Sequence, residues 1–153
     1  MKTILLIHGP NLNLLGQRDR QLYGSLTLKQ LENLVKRQAG KLKLVVKTFQ
    51  SNHEGALIDF LQKNAASACG IIINPGALAH YSFALHDALL DANLPAVEVH
   101  LSDIRKKEIW RRKSVISGAC AKVIAGKKER GYVEALNVLK RIIDHENHSS
   151  QTI

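Results

Sequence analysis

Apolar positions along this chain follow two periods in alternation. Five short runs rich in Ile and Val, "TILLIH", "LKLVVKTF", "CGIIIN", "AVEVHL" and "AKVIAG", read as buried strands. Between them, apolar residues recur at helical spacing. Thr27 followed by Gln30 predicts a capping box that opens a helix carrying Leu28, Leu31, Leu34 and Val35 and stopping near Gly40. Ser51 followed by Glu54 predicts a second start, with Leu57, Ile58 and Leu61 on one face. A third helix carries Leu85, Leu89 and Ala92, and the last carries Val133, Leu136, Leu139 and Ile143. A short helix is predicted over 103–113.

Strands alternating with helices imply a parallel sheet covered on both faces. Right-handed crossovers leave few topologies, and the expectation is a flavodoxin-like α/β three-layer sandwich with a five-stranded parallel sheet. The 153 residues suffice for one domain, 1–153, burying roughly 70% of its unfolded surface. No repeat or linker interrupts it, and the tail, about 146–153, is expected to fray. No stretch approaches the roughly 18 apolar residues of a membrane span, and "MKTILLIHGPNLN" lacks the pattern of a signal peptide, so the expected location is cytoplasmic. Cys69 and Cys120 have no CxxC spacing and read as buried small apolar residues, without a disulfide or zinc site.

Charge changes this picture modestly. Twenty-two Lys and Arg against thirteen Asp and Glu give +9, which favours an acidic partner: nucleic acid, phosphate or a small carboxylate. The basic runs "RKKEIWRRK" and "GKKERG" look like solvated faces, and no aromatic interleaving accompanies them, so nucleic acid is not the expected partner. Chemistry is better located by topology. In an open parallel sheet, ligands sit at the carboxyl ends of the strands. The residues there, 8–11, 51–53, 74–76 and 100–102, are polar in all four segments and point to one binding rim. Seven histidines raise the question of metal, but His80 and His86 lack an HExxH context and His100 stands alone, so no metal is expected. Neither GxGxxG nor GxxxxGK[ST] occurs, so no nucleotide cofactor is signalled.

The segment 16–24, "GQRDRQLYG", is long for a strand-to-helix connection and suits a lid hinged on its glycines, or simply a solvated loop with a surface ion pair at Asp19. Tyr23 in it is a candidate base. A free phenol titrates near ~10, so holding phenolate at neutral pH costs about 4 kcal/mol. A guanidinium ~4 Å away at an effective dielectric of ~20 supplies about that much before desolvation, and Arg18 and Arg111 are the candidate cations. His100, which titrates near neutrality unaided, is the rival base, and these residues alone leave the two assignments open.

Together, "HGPNLNLLGQR" with "YGSLTL", "FQSNHEGALIDFL", "IIINPGALAH", "VEVHLSD" and "RRKS" followed by "GY" resemble the type II 3-dehydroquinate dehydratases of the shikimate pathway, over about 4–139. The resemblance implies a flavodoxin-like fold and an anti elimination of water from 3-dehydroquinate to 3-dehydroshikimate through an enolate, without cofactor or metal. It implies that Tyr23 accepts the proton beside the ketone, that Arg18 keeps Tyr23 ionised and stabilises the transition state, and that Asn11 holds the water facing the enolate oxygen. His100 would donate a proton to the departing hydroxyl, oriented by Glu98. Asn74, His80, Ser102 and the backbone of Leu101 would grip the substrate, with Arg111 adding a contact, and Asp87 would reach a neighbouring subunit's site in a homododecamer built of trimers.

The chain departs from the family pattern at several positions. Asp19 and Arg20 replace Glu-Pro in the lid, which predicts looser closure, and Arg20 adds a charge that faces either Tyr23 or solvent. Leu78 and Ala79 replace Tyr-Thr, which predicts hydroxyls lost near the substrate. Lys107 stands for a frequent arginine and Lys128 for a common glycine. No assigned group is removed, so an active enzyme is expected, the alternative being a binding module of the same fold that has lost catalysis.

Overall fold

The computed structural model describes residues 1–149. Each apolar run becomes one strand: β1 (Lys2–His8), β2 (Leu44–Gln50), β3 (Gly70–Asn74), β4 (Ala96–His100) and β5 (Lys122–Ala125). They form one parallel sheet in the order β2-β1-β3-β4-β5, which is the flavodoxin-like arrangement. The helices are α1 (Arg20–Tyr23), α2 (Leu28–Lys41), α3 (Glu54–Asn64), α4 (Phe83–Ala92) and α5 (Glu129–Ser149).

Helices on both faces leave an interior strand no polar side, and β3 and β4 are buried at every position. The edge strand β2 instead begins by alternating buried and exposed residues. Successive side chains point to opposite faces. Ile4 and Leu6 of β1 therefore join Ile72, Val97 and Val99 in a core closed by α2 and α5. Leu5 and Ile7 join Ile71, Ile73 and Ala96 in a second core closed by α3 and α4.

Local signals differ in their success. The capping box of α2 forms: Thr27 Oγ1 accepts from the Gln30 amide at 3.2 Å, and Gln30 Oε1 accepts from the Thr27 amide at 2.9 Å. The box predicted at Ser51 does not form. Ser51 is held against β1, its N–H donating to the His8 carbonyl at 3.0 Å, so the chain is still leaving β2 there and α3 starts with His53 as its cap residue. Ser51 Oγ accepts from the His53 amide instead, and Glu54 accepts from Ser82 Oγ at 2.5 Å.

The segment 103–113 is two 3-10 turns, Ile104–Lys106 and Ile109–Arg111, not one helix, because Lys107 between them is extended. α5 continues through Ser149, so 146–149 of the expected frayed tail are helical, and 150–153 lie outside the described residues. Cys69 and Cys120 are half-buried and unpaired, less enclosed than expected. Cys69 Sγ donates to the Thr3 carbonyl at 3.3 Å. Among the described residues no helix is long and apolar enough to cross a membrane.

Lys128 links β5 to α5 with φ of 49°. Its N–H donates to the Leu101 carbonyl at 3.0 Å, which ties this turn to the end of β4. A side chain in the left-handed region pays a steric penalty that glycine avoids. Lys128→Gly is expected to raise the unfolding free energy by about 0.5–1 kcal/mol, read from guanidinium titrations at fixed pH.

Candidate active site

β1 is followed by β2 on one side and β3 by β4 on the other, so the crossovers that leave β1 and β3 run in opposite directions, and the loops that begin them border a crevice at the strands' carboxyl ends. Those loops meet closely. A Cβ on Gly9 would stand 2.2 Å from the Pro75 carbonyl oxygen, and one on Gly76, whose φ is 59°, 2.9 Å from that of Pro10. Above this contact lies a cavity of about 150 Å³. Nine of the residues singled out in the sequence line it: Asn11, Arg18, Tyr23, Asn74, His80, His100, Leu101, Ser102 and Arg111. No Asp or Glu is among its lining residues.

The rim is smaller than the four polar segments suggested. Residues 51–53 stand behind it as supports. Asn52 Oδ1 accepts from the Asn11 amide at 2.9 Å and from Gln50 Nε2 at 3.1 Å, which helps hold Asn11 in its left-handed conformation, φ 69°. The Asn11 side chain makes no capping bond and is left to the cavity. His8 lies underneath, fully buried. Burial pushes its imidazole down to about 3, so the ring is neutral where Glu32 approaches Nε2 at 3.5 Å. Neither ring nitrogen has a hydrogen-bond partner among the described residues.

The segment 16–24 contains a helical turn, α1, which the sequence did not announce. Asp19 makes it, accepting from the Gln21 amide at 2.8 Å and the Leu22 amide at 3.4 Å. The turn places Tyr23 so that the Arg18 guanidinium lies 3.8 Å from its ring centre. The second cation there is Lys107, whose Nζ donates to the Tyr23 hydroxyl at 3.1 Å. Arg111, the partner proposed from sequence, lies over Trp110 at 4.2 Å and pairs with Glu108 at 3.1 Å. Arg20 is exposed. Lys107 carried no signal of this role, since it stands 84 positions from Tyr23.

The other wall is built on β4. Glu98 and His100, two residues apart, share one sheet face. His100 Nε2 donates to Glu98 Oε1 at 2.5 Å, and Ser114 Oγ donates to Glu98 Oε2 at 2.9 Å. Glu98 is fully buried behind the cavity. Burial, with the Glu98 charge adding to it, pushes the nearby Cys120 thiol up to about 12. With Nε2 committed, Nδ1 is the His100 nitrogen left for the cavity. His80 Nδ1 donates to the Lys113 carbonyl at 2.8 Å, which leaves its Nε2 free to meet a ligand. Asn74 Oδ1 accepts from the Gly76 amide at 3.2 Å while its Nδ2 donates to Tyr132 at 2.9 Å. Burial raises the Tyr132 phenol, keeping it neutral.

Leu78 and Ala79 face the core and do not line the cavity, so the hydroxyls expected to be missing leave no gap in its wall. Asp87 stands exposed on α4, beside His86 at 3.3 Å and outside this chain's cavity. A wider groove of about 490 Å³ runs along β5, but its lysines Lys122 and Lys127 pair with Glu134, and Arg105 pairs with Asp103. Among the described residues no three His, Cys, Asp or Glu side chains could hold a metal ion.

Fold and cavity together define a flavodoxin-like α/β protein whose phenol among cations and carboxylate-backed imidazole can move protons on an anionic ligand. Comparison with known proteins narrows that class. The chain belongs to the dehydroquinase class II family, whose profile matches residues 2–140. It is 48% identical over 143 residues to the 3-dehydroquinate dehydratase of Halothermothrix orenii, covering 94% of this chain and 97% of that one. It is also 48% identical over 147 residues to catabolic 3-dehydroquinase 1 of Neosartorya fischeri, covering 93% and 98%. The crystal structure of a type II dehydroquinase from Butyrivibrio crossotus superimposes with a TM-score of 0.87 at 39% identity, covering 90% and 97%.

The neutral His8 gives the support beneath the site a pH dependence. It takes a proton near 6.5 when unfolded but only near 3 when folded. Its contribution is therefore full above pH 6.5 and falls as pH drops from 6.5 towards 3. Between pH 7 and pH 5, His8→Leu is expected to lose about 2 kcal/mol less unfolding free energy than the parent, measured by denaturant titration.

Proposed function

We propose that this protein is a type II 3-dehydroquinate dehydratase, catalysing anti elimination of water from 3-dehydroquinate to 3-dehydroshikimate in the shikimate pathway. The observation that carries the reading is a cavity lined by Arg18, Lys107 and Arg111 and by no acid, with Tyr23 on one wall and His100 on the other. Cations with no acid beside them in the lining suit a substrate carboxylate, Arg111 being the one already paired, with Glu108 outside the lining. They also favour negative charge on the Tyr23 oxygen, which must act as base.

Tyr23 takes the proton beside the ketone, and the charge moves onto the enolate oxygen, met by a water held on Asn11. As the enolate collapses, His100 gives the Nδ1 proton to the leaving hydroxyl, which departs as water. Each turnover thus leaves one proton on Tyr23 and removes one from His100, and solvent exchange restores both. Asn74, His80, Ser102, the Leu101 backbone and Arg111 hold the substrate. Closure of the 16–24 segment would keep bulk water from the charged phenol.

The impaired binding module finds no support in the departures from the family pattern. Asp19 caps a turn, Arg20 is exposed, and Leu78 and Ala79 pack inward.

Assembly belongs to the same reading. Phe83, Asp87 and Leu90 follow one another at helical spacing on an exposed stripe of α4, with Phe83 69% and Leu90 53% exposed. So large an apolar exposure beside Asp87 suits contact with a second copy, which would carry Asp87 to a neighbour's cavity in a homododecamer of trimers. The unpaired thiols suit the cytoplasm.

Purified protein given 3-dehydroquinate is expected to generate the ultraviolet absorbance of a conjugated enone, and absence of product would refute the activity. Tyr23→Phe should lower both elimination and exchange of the α-proton with solvent deuterium by roughly 10²–10⁴-fold. Lys107→Met should lower both roughly 10–100-fold, with Lys107→Arg restoring most of the loss. Normal exchange in Tyr23→Phe would remove this tyrosine from the mechanism.

A further inference from the structure

Ser114 lies outside the cavity's lining, half-buried, yet its surroundings fix it unusually well. On one side the Lys113 carbonyl accepts from His80 Nδ1 at 2.8 Å. On the other the Val115 amide donates to the Ala79 carbonyl at 2.7 Å. The backbone carrying Ser114 is thus stitched at both flanks to the segment that carries His80. Its hydroxyl donates to Glu98 Oε2 at 2.9 Å, while the other carboxylate oxygen takes the His100 proton at 2.5 Å.

We propose that Ser114 is a positioning residue of the elimination step: its hydroxyl holds the buried Glu98 carboxylate in the orientation and charge that aim His100 Nδ1 at the leaving group. The inference rests on the proposed role of His100 as proton donor. Three points carry it. Glu98 is fully buried, so each oxygen lacking a donor costs free energy, and Ser114 supplies the donor that His100 does not. A carboxylate bonded through one oxygen can swing about its terminal torsion, whereas one bonded at both ends holds the imidazole in plane. Finally, an ionised Glu98 keeps the Nε2 proton in place, so the proton that leaves His100 departs from Nδ1 and into the cavity.

This role separates two readouts. Abstraction of the α-proton by Tyr23 does not pass through Glu98, whereas expulsion of the hydroxyl does. The measurement compares deuterium exchanged into recovered 3-dehydroquinate with enone formed over the same interval. Ser114→Ala is expected to lower kcat for elimination about 10–100-fold, to leave KM within about twofold, and to raise the ratio of exchange to elimination at least tenfold.

Ser114→Thr keeps the hydroxyl and should hold the parental ratio. If Ser114→Ala does not fold, Ser114→Cys, with a weaker donor of similar size, is read the same way. An unchanged ratio in the alanine or cysteine variant overturns the proposal, as does a parallel loss of both processes with a raised KM, which would mark a merely structural loop. His100→Ala separates this from failure of the underlying role. A raised ratio there with an unchanged one in Ser114→Ala defeats Ser114 alone, whereas an unchanged ratio in His100→Ala defeats the assignment of His100 and the inference with it.

Discussion

The site depends on how closely two backbone turns approach at the carboxyl end of the sheet. β1 and β3 run side by side in register, His8 opposite Asn74, and the turns that follow have no room for a Cβ at Gly9 or Gly76. Parallel strands must be reached by crossovers on the sheet faces, so their ends gather turns and helix starts on one rim. Here the close approach brings Asn11 and Asn74 into the lining of one small cavity. It also leaves the chain after Asn11 to continue along that cavity as the segment bearing Arg18 and Tyr23. Without the two glycines the loops would separate, and the groups on either side would no longer face a common ligand.

Charge is then distributed by burial. Two phenols belong to the site and are treated oppositely. Tyr132 is sealed within the core beside a neutral His8, serves as an acceptor for Asn74, and is pushed towards the protonated form. Tyr23 is half-buried, with the Arg18 guanidinium against its ring and the Lys107 ammonium donating to its oxygen. The acidic side follows the same logic. Glu98 is fully buried and is affordable there only because His100 and Ser114 each donate to one of its oxygens. It therefore stays out of the cavity's lining and meets it only through its hydrogen bond to His100.

The departures from the family pattern fall where the structure can absorb them. Asp19 is short enough to cap the turn that follows it, so the segment without proline still has a defined conformation. Leu78 enlarges the apolar core beside Leu85 and Leu89 without touching the cavity. Lys107 keeps a cation at the phenol oxygen, its ammonium making one directed bond there.

Much of the fold was legible in the order of residues, and so was the location of the site. Strands buried on both faces must be apolar throughout, and helices laid on a sheet must carry an apolar stripe, so the alternation of periods declared the layers and, with right-handed crossovers, the topology. The long matched blocks from "HGPNLN" to "RRKS" declared nine of the cavity's residues. What remained hidden were pairings across long separations. Lys107 beside Tyr23, Ser114 beneath Glu98, Asn52 behind Asn11 and the inward turn of Leu78 leave no local pattern, and Ser51 spaced from Glu54 like a capping box was overruled by a hydrogen bond to β1. Periodicity and capping are read over a few residues, whereas the partner of a side chain is decided by how the strands pair and where the crossovers set the loops, and only the assembled tertiary structure holds that information.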